Sequence, residues 1–125
     1  VIIASPKMIK DNPQAVKAFL SAFTKGVKDV IADPKASIAY VKARDGIINE
    51  ALELRRLQLA IDATVLTADA RSEGFGNVMG PRLALMASQV ADAFATKQRI
   101  NPDTVWNGDL LPPEAERNIF AAARK

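Results

Sequence analysis

The sequence predicts a mainly α fold: about five helices behind one short N-terminal strand. Two observations carry this. Prolines recur directly after Asn, Asp or Gly (Asn12-Pro13, Asp33-Pro34, Gly80-Pro81, Asn101-Pro102), the arrangement that opens a helix. Behind three of these starts, apolar residues return at steps of three and four. Only Val1-Ile2-Ile3-Ala4-Ser5 is β-branched and apolar enough to read as a buried strand, which Pro6 ends. A lone strand cannot satisfy its backbone groups. Its partner is expected in a larger parent or in a second copy.

The first helix is expected from Pro13, capped by Asn12, to Ala32. Val16, Phe19, Leu20, Phe23, Val27, Val30 and Ile31 lie on one face, and Lys17, Lys25, Lys28 and Asp29 on the other. Gly26 costs about 1 kcal/mol in a helix interior, so close packing is expected there. A short second helix from Pro34 carries Ile38, Tyr40 and Val41 and stops near Gly46. A third runs from about Asn49 to Gly74. Its two stripes, Leu54, Leu57, Ile61 and Val65 beside Leu52, Leu59 and Leu66, predict the most buried helix. A fourth starts at Pro81 with Leu83, Met86, Ala87, Val90 and Phe94 on one face. Asn101-Pro102 opens a short turn with Val105 and Trp106. A last helix is expected from Pro113 to Phe120, fraying at Ala121 to Lys125.

The chain has 125 residues, a length that suits one helical domain or subdomain over 1–125 with a core of its own. Net charge is +3, from 17 basic and 14 acidic residues spread along the chain. No basic stripe with aromatic platforms is present, so no nucleic-acid partner is expected. There is no Cys and no His, which excludes disulfides, thiolate catalysis and Cys/His zinc sites and is compatible with an oxidising compartment. No apolar run approaches the roughly 18 residues of a membrane span. The chain begins at Val1, as a cut or processed piece of a longer protein would.

Candidate chemistry is sparse. Gly74-Phe75-Gly76-Asn77-Val78-Met79-Gly80 has a faint likeness to a dinucleotide loop, but a helix precedes it where a strand is required, so it reads as a flexible helix–helix connection. Glu50 with Glu53, and Glu114 with Glu116, are carboxylate pairs in polar surroundings and read as solvated. Ser5, Ser21, Thr24 and Ser37 lack a histidine to activate them. Helix starts after Asn12, Asp33, Gly80 and Asn101 could hold anions, but three of the four are expected to be capped by their own side chains. Trp106 is expected in a satellite cluster with Val105 and Leu110. No catalytic residue, metal ligand or cofactor is expected, and no ligand-binding residue is assigned.

Several segments together resemble one family. They are Ile2-Ile3-Ala4-Ser5 with Ile9 and Asn12-Pro13; Val16 to Phe23; Gly74-Phe75-Gly76 with Val78, Arg82 and Leu83; and Val105-Trp106 with Leu110-Leu111-Pro112-Pro113-Glu114-Ala115-Glu116-Arg117. Their order and spacing resemble the C-terminal portion of periplasmic substrate-binding proteins of the nitrate/sulfonate/taurine type, related to the thiamine-pyrimidine-precursor binding proteins. Met79 stands where that family commonly has Asp.

The resemblance implies a two-lobed α/β protein that closes on a small solute (an oxoanion, a sulfonate or a pyrimidine-like molecule) and delivers it to the membrane permease of an ABC importer. It implies a periplasmic location, or an extracytoplasmic one with a lipid anchor in the parent. The portion implied to hold most ligand contacts lies outside this sequence. As an isolated piece, the chain is expected to form a homo-dimer, with Val1–Ser5 strands pairing across a two-fold axis. The competing reading is a free-standing helical bundle for protein–protein interaction.

Overall fold

The computed structural model describes residues 2–124, the backbone alone at residue 124. Seven α-helices follow one another: α1 (Pro6–Asp11), α2 (Pro13–Ala32), α3 (Pro34–Arg44), α4 (Glu50–Ala60), α5 (Ala68–Glu73), α6 (Gly80–Ala93) and α7 (Glu114–Arg117). A π-helical turn, Ile61–Val65, extends α4. Three 3-10 turns, Pro102–Thr104, Gly108–Leu110 and Ala122–Arg124, fill the C-terminal third. The mainly helical class is as expected.

The N-terminal strand is not. Ile2–Ser5 is irregular, Ile3 is 90% exposed, and no strand occurs among the described residues; Val1 lies outside them. Pro6 does not stop a strand here but opens α1. Ser5 caps that helix, its Oγ accepting from the Met8 N–H at 3.1 Å. This removes the basis for a dimer built on paired Val1–Ser5 strands.

α2, α3 and α6 begin where the proline signals place them. Asp33 Oδ1 accepts from the Ala36 N–H at 2.8 Å. Asn12 makes no side-chain cap. It also terminates α1, its own N–H donating to the Met8 carbonyl, and that double duty fixes its backbone away from capping geometry.

The expected long helix from Asn49 to Gly74 is broken. Leu66 N–H donates to the Ile61 carbonyl at 2.8 Å, the wide spacing of a π turn. The Leu66 backbone then leaves helical geometry and Thr67 caps a new helix, its Oγ1 accepting from Ala70 N–H. Nor is this the most buried helix. α4 has no buried residue, and Leu59 is 69% exposed. Its second stripe has nothing packed over it.

The core gathers Ile31 of α2, Ile61 of the π turn, and Ile119 and Phe120, with Val27, Val30, Leu57, Val65, Leu66, Ala70, Phe75 and Ala122 packed around them. Ile119 is fully buried. The expected last helix to Phe120 stops at Arg117. Asn118 Oδ1 accepts from the Phe120 N–H at 3.2 Å, and this turn swings Ile119 and Phe120 inward. The segment expected to fray instead puts Ala122 against the core and ends in a 3-10 turn.

The surface is large for the mass. Accessible area is 9371 Å², whereas a compact monomer of 13.5 kDa exposes about 6,500 Å². The fold buries about half of its extended-chain surface, short of the roughly two-thirds expected from its length. The excess is apolar in good part: Phe19, Tyr40, Ile47, Leu59, Leu85, Phe94, Ile100 and Val105 are all more than half exposed.

Candidate functional site

The main concavity is a groove between α2 and the α4–π-turn arm. Phe23, Gly26, Val27, Val30 and Ile31 form one wall; Leu57, Ala60, Ile61 and Val65 form the other. Its volume is about 370 Å³. Ile31 and Ile61 form the floor, so the groove is an uncovered edge of the core. No charged or hydrogen-bonding side chain lines it. Such a wall takes hydrocarbon and offers nothing to the charge of an oxoanion. A second hollow, about 320 Å³, lies beyond Ile31 and Ile61, where Gln58 and Asp62 join Pro34, Leu66 and Ala123.

The glycine loop lies between two helices, α5 and α6, as expected. It is pinned rather than free at its start. Gly74 is buried with φ +78° and ψ 150°, a region open essentially to glycine alone. Arg117 lies directly against it. Its Nη1 donates to the Glu73 carbonyl at 2.7 Å and its Nε to the Pro112 carbonyl at 2.9 Å. Phe75 N–H donates in turn to the Arg117 carbonyl at 3.0 Å. This latch was not anticipated from sequence, although both ends of it belong to the segments that carry the family resemblance.

The carboxylate pairs are split among basic neighbours or left in solvent. Glu53 pairs with Arg56 at 2.7 Å, Glu50 lies 3.9 Å from Lys42, and Glu114 and Glu116 are exposed. Three hydroxyls serve the backbone: Ser5 caps α1, Thr24 donates to the Leu20 carbonyl, and Ser37 to that of Asp33. Of the four helix starts, Asp33 and Asn101 are capped by their own side chains, and Asn12 and the Met79–Gly80 start are not. Trp106 is half-buried and Leu110 buried, but Val105 is 61% exposed, so the satellite cluster forms without it.

Among the described residues no group of three or more acidic side chains is gathered as a metal site, and no helix is long and apolar enough to cross a membrane.

A family model described as NMT1/THI5 like matches residues 1–37. That segment holds α1, α2 and the first turn of α3, under a third of the 125 residues. Over it, the chain is similar to the substrate-binding proteins that its sequence resembles. No curated protein and no solved structure matches the chain.

Proposed function

We propose that the chain is the C-terminal helical portion of a periplasmic substrate-binding protein of the nitrate/sulfonate/taurine type, a non-catalytic component of ABC-type import. The carrying observation is the match over residues 1–37. The later segments of the resemblance support it by meeting in space: Gly74 and Phe75 against Arg117, and Gly76 beside Leu111. The bare apolar surface suits a piece whose larger part covers it. Because the groove has no donor, the contacts to an oxoanion, sulfonate or pyrimidine-like solute are assigned to the rest of the parent, as is docking to the permease. The second reading, a free-standing interaction bundle, draws on the same open groove.

Two measurements test the proposal. An antibody against this chain should retrieve, from fractionated source cells, an extracytoplasmic protein well above 13.5 kDa. A cytosolic species of 13.5 kDa would overturn it in favour of the bundle. Nitrate, taurine or a pyrimidine added in millimolar amounts to the isolated chain should leave its melting temperature unchanged, because a ligand stabilises only the state it binds. A saturable rise with one of them would place solute contacts in this piece.

A further inference from the structure

The outer face of α2 carries a seam that nothing in the fold covers. Phe19 is 56% exposed and Phe23 45%, their rings stacked at 6.4 Å between centroids. Gly26 and Val30 continue the line. The steps of four, three and four between these residues are those of the a and d positions in a coiled coil. The opposite side of the helix already faces the fold through Val16, Thr24 and Ile31.

Gly26 is the telling position. A glycine inside a helix weakens it, and close packing within the chain was the expected reason for one here. The structure supplies no such reason: a Cβ at Gly26 would meet nothing within 4 Å. The glycine instead leaves a notch in the groove wall, one turn from the Phe23 ring.

We propose that α2 pairs antiparallel with α2 of a second copy, each Phe23 seated in the other's Gly26 notch and each Phe19 against the other's Val30. A knob and a notch one turn apart on one helix are self-complementary under a two-fold axis, the requirement for an isologous dimer. The area is sufficient. A standard interface takes about 800 Å² from each partner. The chain exposes about 2,800 Å² beyond a compact monomer of its mass, so the seam needs less than a third of that excess. The pairing concerns the chain as it stands and does not rest on the solute-binding reading.

Light scattering on a size-exclusion column, with dilution, tests it. The chain should elute at twice 13.5 kDa and dissociate on dilution. Phe19→Glu with Phe23→Glu should give the monomer mass at the same concentration, with an unchanged far-ultraviolet dichroism spectrum. Gly26→Leu keeps the test sharp if that pair unfolds. It favours the helix while filling the notch, so it should give a monomer whose melting temperature is not lowered. Phe94→Glu, equally exposed but off the seam, should remain dimeric. A monomer at millimolar concentration, an ill-defined higher oligomer, or a dimer that survives both seam variants would overturn the pairing. None of these would alter the mass and compartment expected of the parent.

Discussion

Replacing Gly74 with alanine tests the Arg117 latch at its tightest point. A Cβ there would sit 2.5 Å from Arg117 Nη1, 3.1 Å from its Cζ and 3.3 Å from its Cβ. Two costs add. The backbone at φ +78° is strained for any side chain, by about 1–3 kcal/mol. The guanidinium must also move, loosening its bonds to the Glu73 and Pro112 carbonyls, and a charged donor's hydrogen bond contributes roughly 1.5–3 kcal/mol. Together, Gly74→Ala should cost about 2–5 kcal/mol, a large share of a stability of order 5–15 kcal/mol. Gly76→Ala supplies the control. Its φ is +84°, but its added Cβ would only touch Leu111 Cδ2 at 3.7 Å. It carries the backbone cost without the displacement. Urea unfolding followed by dichroism at 222 nm should therefore rank Gly74→Ala below Gly76→Ala by at least about 1.5 kcal/mol. Equal losses in the two variants would show that Arg117 gives way freely and that the latch contributes little.

Two further outcomes follow from burial and capping. Ile119→Ala removes the one side chain buried completely among the described residues and should cost about 2–5 kcal/mol in the same assay; a loss below 1 kcal/mol would show that the neighbouring side chains collapse into the space. Asn49→Ala deletes the cap whose Oδ1 accepts from Leu52 N–H at 3.1 Å and should cost about 0.5–2 kcal/mol, whereas Asn49→Asp should keep most of it; indistinguishable melting temperatures for all three proteins would refute that role.

The helix starts were the legible part of this chain, because proline and its capping neighbour act within a few residues. The same signal was misread at Ser5-Pro6, where apolar β-branched neighbours outweighed it. With no sheet within the chain to join, those residues remain irregular and Pro6 starts a helix instead. The π turn at Ile61–Val65 escaped because the apolar period runs through it without interruption. Only Thr67, three residues before Ala70, marked the restart. Burial was read worst. The stripes on α4 and α6 are genuine, yet Leu59, Val90 and Phe94 stand in solvent. Periodicity tells which face is apolar and says nothing of what covers it. The latch was invisible for another reason: Glu73 and Arg117 are brought together by the path of the chain, which no local pattern encodes.

The placement of Ile119 has a consequence for how the protein is made. Its partners Ile31 and Ile61 leave the ribosome long before it does. Until then α2 and the π turn have no central side chain to close upon, and their apolar faces wait uncovered while translation proceeds. Nascent chains released before residue 119 should thus be the ones that chaperones hold and proteases clear, so that production of this protein is limited by completing its last segment rather than by starting its helices.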